Sequence, residues 1–102
     1  MIIVNGRFES SVENIAALTA AISAMESASR AEDGCDDYTF SVEINDSAVI
    51  RITERWRDLP ALEVHFGTDH MAKFQKAMAA HPPSNAEVHF YEIAQEIPRP
   101  GS

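Results

Sequence analysis

Apolar and polar residues alternate over residues 2–8, with Ile2, Val4 and Phe8 on one side and Ile3, Asn5 and Arg7 on the other. A period of two marks a strand with unlike faces. The period changes after Ser10: Ile15, Leu18, Ile22 and Met25 recur at three and four residues, with Ala16, Ala17, Ala20, Ala21 and Ala24 between them. That spacing predicts an amphipathic helix able to pack closely. Ser10, followed three residues on by Glu13, reads as a capping box at its start. Gly34 reads as its stop, because glycine takes the left-handed conformation that ends helices.

Alternation returns at residues 38–44, where Tyr38, Phe40, Val42 and Ile44 interleave with polar residues, and Asn45-Asp46-Ser47 has the chemistry of a turn. Residues 48–56 complete a hairpin, with Ile50, Ile52, Glu54 and Trp56 on one face and Val49, Arg51, Thr53 and Arg55 on the other. Asp58 reads as an N-cap with Pro60 in the first turn, and Leu62, His65 and Phe66 continue at helical spacing. Gly67-Thr68 interrupts that helix; Thr68 recaps a segment carrying Met71, Phe74 and Met78, which Pro82-Pro83 ends. Residues 87–94 form a last strand, apolar on both faces.

The order is β-α-β-β-α-β, which predicts an α+β, ferredoxin-like split unit: a four-stranded antiparallel sheet with helices on one face. Its other face contains Ile3, Tyr91 and Ile93. Such a face is too apolar to stay wet, so a homodimer packed sheet to sheet is expected.

The chain has 102 residues, enough for one core and too few for two domains. The domain is expected to span residues 1–97, with a flexible tail at 98–102. Sixteen acidic against eight basic residues give a net charge of −8, which repels a phosphate backbone and argues against nucleic acid as a partner. Cys35 stands alone, so neither a disulfide framework nor a paired-cysteine zinc site is expected; the thiol reads as a small buried residue. With no signal-like start and no long apolar run, the expectation is a soluble, cytoplasmic protein with no membrane partner.

Two stretches carry a family likeness. Arg30-x-Glu32-x-Gly34-Cys35-x-x-Tyr38, and then Glu54-x-Trp56, Ala61-Leu62-x-x-His65 and His70-x-x-x-Phe74, resemble in order and spacing the motifs of the antibiotic biosynthesis monooxygenase (ABM) family. The resemblance implies a dimeric ferredoxin-like barrel. It also implies an activity: oxidation of a small aromatic, quinol or polyketide-type substrate by dioxygen, without flavin or metal. A deprotonated quinol or anthrone is electron-rich enough to reduce oxygen directly, so such a protein must supply a dry aromatic pocket, a means of holding the anion and a proton acceptor. By resemblance, Asn5 and Trp56 occupy positions used for oxygen and substrate. The haem-degrading branch fits poorly, because His65 stands where its tryptophan would be and Gln75 where its axial histidine would be.

The candidate catalytic residues are therefore Asn5, Trp56 and His65, the last as the candidate base, and the candidate substrate contacts are Tyr38, Phe40, Arg51, His70 and Phe74. Each has a plainer role available. Trp56 could be a core anchor, Asn5 could satisfy an unpaired backbone group, and His65 could be a helix residue bonded to a neighbouring element. His70 reads as a capping or surface residue at a restarted helix. Lying five residues apart, about 140° around a straight helix, His65 and His70 make a poor metal pair, so no metal is expected. The alternative to catalysis is a non-catalytic small-molecule binding or sensing protein on the same dimeric fold.

Overall fold

In the computed structural model, which describes residues 1–101, the chain runs β1 (Ile2–Glu9), α1 (Val12–Arg30), β2 (Cys35–Glu43), β3 (Asp46–Trp56), α2 (Leu59–Phe66), α3 (Asp69–Ala80) and β4 (Asn85–Glu92). Ser102, last residue of the expected tail, lies outside the described residues. The strands form one antiparallel sheet in the order β2-β3-β1-β4. This is the predicted α+β arrangement, with the second helical segment divided in two.

Strand alternation sorts the side chains. Ile2, Val4, Gly6 and Phe8 of β1 pair with Trp56, Glu54, Ile52 and Ile50 of β3, and this row faces the helices. The core there is built from Ile2, Val4, Met25, Tyr38, Ile52, Trp56, Ala61, Leu62 and Met71. Helix α1 also finishes the outer edge of β2. The Glu26 carboxylate accepts the Phe40 backbone N–H at 2.7 Å, and the Arg30 Nε donates to the Tyr38 carbonyl at 2.8 Å. Edge groups that would otherwise be open to another strand are thereby paired, and Tyr38 and Phe40 are held in place.

Several element boundaries differ from the sequence reading. The N-cap of α1 is Ser11, whose hydroxyl accepts the Asn14 N–H at 3.0 Å. Ser10, just past β1, is still tied to β3, its N–H donating to the Ala48 carbonyl at 2.8 Å, so the helix begins one residue later than a Ser10 cap would allow. Helix α1 ends on Ala31 in the right-handed region, and Gly34, at φ 85°, forms the turn into β2 instead. A side chain there would be strained and would also meet Ala61, since an added Cβ would lie 2.7 Å from the Ala61 Cβ. β2 ends at Glu43 after a register shift, which leaves Ile44 fully exposed at the hairpin tip rather than in the inward row.

The face away from the helices is more polar than the sequence suggested. Ile3 and Tyr91, paired in register, form an apolar patch at one end. Beyond them, Arg7 and Arg51 share the Glu43 carboxylate at 3.4 and 2.8 Å, and Asn5 sits in register between Thr53 and His89. β4 is exposed along its length. No helix among the described residues is long and apolar enough to cross a membrane.

Candidate functional site

Tyr38, Phe40 and Ile52 meet, between sheet and helices, side chains descending from α2 and α3 and rising from β4. They line a half-open cavity of about 210 Å³ whose wall is largely aromatic: Phe8, Tyr38, Phe40, Phe66, Phe74 and Phe90. Ile52, Met71 and Val88 complete the apolar lining, and Glu54 is the one carboxylate. Tyr38 and Phe40 pack edge to face at 5.8 Å, and Phe40 lies 5.4 Å from Phe74. Phe66 and Phe90, each about half exposed and 6.2 Å apart, stand at the solvent side. They also border a neighbouring cleft of about 360 Å³, lined by Leu59, Leu62 and Tyr91 among others.

Glu54 dominates the electrostatics of this cavity. It lies in the inward row of β3 between Ile52 and Trp56, and its residue is 8% exposed. Burial pushes its carboxyl up to about 7; the Trp56 Nε1–H, donating to Oε1 at 2.9 Å, lowers it, and the charge of Glu32 raises it. The group therefore exchanges its proton near neutral pH, in an apolar setting that strengthens its interaction with any polar neighbour. The Tyr38 hydroxyl is driven far above the ordinary phenol range, first by burial and then by the Glu54 charge, and stays protonated.

Behind Trp56 lies a second cluster. The His65 ring is fully buried, 4.6 Å from Trp56 and 5.3 Å from Tyr38. Its Nδ1 is 2.5 Å from Glu32 Oε2, and His70 Nε2 is 2.8 Å from the same oxygen. Burial lowers the His65 pKa against the opposing pull of Glu32, so the ring is held neutral and its Nδ1–H donates to the carboxylate.

The sequence-predicted residues therefore fall into three groups. Tyr38, Phe40 and Phe74 line the cavity, with Trp56 bonded to the carboxylate that faces it. His65 and His70 converge on Glu32 rather than on the cavity. The two histidines lie closer than a straight helix would put them, because the segment that carries them is broken in two. Gly67 caps α2, the Thr68 hydroxyl accepts the Met71 N–H at 3.2 Å to start α3, and the break swings His70 to within 6.0 Å of His65, ring to ring. Asn5 and Arg51 lie on the opposite face of the sheet, so within one chain they do not converge with Trp56 and His65; odd positions of β1 and β3 point away from the helices.

Two residues of these clusters, Glu54 and Glu32, are not among the site residues expected from the sequence pattern. Glu54 stands in the sequence as the polar member of an apolar row and as the first residue of the Glu54-x-Trp56 motif, with no chemical role attached, although a carboxylate among Ile50, Ile52 and Trp56 is itself a signal that the group serves something specific. Glu32 was part of a motif, but nothing local shows that it faces two histidines more than thirty residues away. Cys35 is partly buried, with its thiol pushed up to about 11 by desolvation, as expected of an unreactive cysteine.

Known proteins share this architecture. A Deinococcus radiodurans protein named after the antibiotic biosynthesis monooxygenases superposes with a TM-score of 0.89 at 27% identity, over 99% of this chain and 100% of that one. A Pseudomonas aeruginosa protein matches at TM-score 0.79 and 29% identity, over 91% and 94% of the two chains. A Mycobacterium tuberculosis protein matches at 0.82 and 26%, over 93% and 96%. No curated protein sequence matches the chain. The sequence model of antibiotic biosynthesis monooxygenases matches residues 1–77, three quarters of the chain and all the elements from β1 to most of α3. With fold, motif order and family model in agreement, the chain belongs to the antibiotic biosynthesis monooxygenase (ABM) family.

Proposed function

We propose that this protein is a homodimeric monooxygenase that oxidises a small phenol, of the hydroquinone type, with dioxygen and with no flavin or metal taking part, and that Glu54 is its general base. The observation that carries the reading is a buried carboxylate, titrating at about 7, that opens into an aromatic-lined cavity. A base is most effective when its pKa lies near the working pH, and the family supplies the precedent for oxygen chemistry. The volume, about 210 Å³, falls below the roughly 300 Å³ where pockets for drug-sized ligands begin, which favours one or two rings over a large polyketide.

The reaction balances without a further reductant. Glu54 takes the phenolic proton, and the phenolate passes one electron to dioxygen. The two radicals join through a new C–O bond at the adjacent ring carbon, and the peroxide takes the proton back from Glu54. Loss of that carbon's C–H proton, with cleavage of the O–O bond, leaves a carbonyl on the ring and releases water. One hydroquinone and one dioxygen become one hydroxyquinone and one water. The Trp56 indole holds the carboxylate in position, Tyr38, Phe40 and Phe74 hold the ring, and the apolar wall keeps water from the radical pair.

Oxygen uptake with a panel of hydroquinones and anthrones, measured for the wild type, Glu54→Gln and Trp56→Phe, tests this reading. Uptake with a small hydroquinone that Glu54→Gln abolishes is the expected result. Binding of these compounds with no uptake by the wild type would make the protein the binding or sensing alternative and end the proposal.

A further inference from the structure

Glu32, His65 and His70 have no place in the reaction above, and none of them lines the aromatic cavity. They come from three elements: Glu32 from the turn after α1, His65 from α2 and His70 from α3. Their candidate donor atoms, one from each residue, all lie within 4.8 Å of one another. We propose that they form a binding site for one divalent metal ion of the zinc class, set behind Trp56 and separate from the cavity.

The chemistry of the donors fits. Two imidazole nitrogens and one carboxylate oxygen make a set of intermediate softness that suits zinc and leaves a fourth position for water. The geometry is unusual for a hydrogen-bond cluster. Both histidines crowd onto the single oxygen Oε2, while Oε1 of the same carboxylate is buried without a partner, as is His65 Nε2. A largely buried carboxylate with one oxygen doubly used and the other unused is poorly satisfied by its protein neighbours. A cation drawn in among the three would take lone pairs from both rings and let the carboxylate turn its second oxygen to use.

Binding through Nδ1 needs the other tautomer of His65. Moving the proton from Nδ1 to Nε2 gives up the bond to Glu32, which the metal replaces, and Nε2 is buried without a partner in either tautomer. Access is also provided. The Glu32 side chain is 11% exposed and the His70 side chain 24%. Glu32 borders one surface hollow, beside Arg57 and Thr68, and His70 borders another, beside Lys73 and Phe74. Bound there, the ion would tie the end of α1 to both α2 and α3.

The test uses the metals alone and no substrate, so its failure leaves the oxygenase reading untouched and the reverse also holds. Protein stripped with chelator and then freed of it is titrated with Zn²⁺ by calorimetry and with Co²⁺ by visible absorption, with Trp56 fluorescence as a nearby reporter. One ion per chain and a cobalt spectrum of low coordination number are expected. His70→Ala and Glu32→Gln, checked for folding by circular dichroism, should each weaken binding by roughly tenfold or more, and His89→Ala on the far sheet face should not. His65→Ala serves only as a supplement, since that ring is buried in the core. Absence of stoichiometric binding, or binding that survives both His70→Ala and Glu32→Gln unchanged, overturns the proposal.

Discussion

Trp56 Nε1 donates a hydrogen bond of 2.9 Å to Glu54 Oε1, joining the fully buried tryptophan to the carboxylate that opens into the aromatic cavity. The two side chains share one face of β3, two residues apart, where the inward row would otherwise be apolar. The tryptophan thus satisfies its own buried N–H and fixes the direction of the carboxylate. Two titrating behaviours follow from that arrangement.

The first is a rate profile. A general base works in its ionised form, so kcat/KM for the phenol substrate should rise with pH, about tenfold per unit on the acid side, and level off above about 7 where Glu54 is deprotonated. Glu54→Gln should lower the plateau by roughly a hundredfold or more and remove that inflection, because general-base catalysis contributes about 10² to 10⁴. A stopped-flow or oxygen-electrode profile from pH 5 to 9 reads both. An inflection that persists near 7 in Glu54→Gln would assign the base to another group.

Stability should respond in the opposite sense. The Glu54 carboxyl is raised from 4.5 to about 7 in the folded chain, chiefly by burial. Between those values the folded state holds a proton that the unfolded state has released, so ΔG of unfolding falls as pH rises through that window, by at most about 3 kcal/mol. Above about 7 both states are ionised and this contribution is flat. His65 acts the other way: its pKa is lowered, so below about 6.5 the unfolded chain binds a proton that the folded chain refuses, and stability drops on acidification. Urea unfolding at a series of pH values, compared between wild type and Glu54→Gln, isolates the first effect. The variant should gain relative stability as pH rises from 5 to 7.5.

The element order was legible in the sequence because its signals are local: alternation, helical spacing and caps at Asp58 and Thr68. Much of the site was also present in the pattern. Alternation alone places Asn5 and Arg51 on the face opposite Trp56; the family likeness drew Asn5 to Trp56 and His65 in spite of it. What the sequence could not carry was closeness between distant elements. That Glu32 lies under two histidines depends on the angle between α2 and α3, which a Gly67-Thr68 break permits but does not specify. Burial at Glu54 likewise depends on how the helices and β4 close over it, and only the fold reveals that a polar position in an amphipathic strand has become a titrating group in a cavity.

Dimerisation through the open sheet face makes a sharper demand now that most of that face is known to be polar. Its exposed apolar surface is centred where Ile3 meets Tyr91, Val49 at the other end being covered, and apolar anchors of this kind dominate interface energies. The protein should sediment as a dimer at micromolar concentration. Ile3→Asp should shift it toward monomer by roughly a hundredfold in dissociation constant, since a charge would be buried without a partner. Arg51→Ala, which removes a partly exposed ion pair to Glu43, should change it by less than about tenfold. Analytical ultracentrifugation of the three proteins decides; a wild-type monomer would dispose of the sheet-to-sheet dimer.

Gly6 links the stability of the sheet to the shape of the cavity. It faces Ile52 directly in the β1–β3 register. A Cβ at this position would lie 2.6 Å from the Ile52 Cγ2 and 3.3 Å from the Phe8 Cε2, and both of those side chains line the cavity. Ile52 cannot swing aside freely, because a β-branched side chain on a strand has few rotamers to choose from. The strain of Gly6→Ala must therefore be relieved by pushing Ile52 and Phe8 inward, at the expense of the space between Tyr38, Phe40 and Phe74. Overpacking of this kind costs about 1–3 kcal/mol, which for a domain of this size lowers the Tm by roughly 4–8 °C for each kcal/mol. The same displacement should raise KM for a ring substrate severalfold, and kcat should change less, because Glu54 and Trp56 lie one and two inward-facing pairs further along β3. Gly67→Ala provides the comparison: an added Cβ there would be 3.6 Å from the Val64 carbonyl oxygen and would meet no atom of the sheet within 4 Å, so it should alter neither KM nor, by more than about 1 kcal/mol, stability. Calorimetric melting and steady-state kinetics on the two variants measure both effects. A Gly6→Ala protein that melts lower but binds substrate as tightly as the wild type would show that Ile52 relaxes away from the cavity, and would remove this face of β1 from the substrate's surroundings.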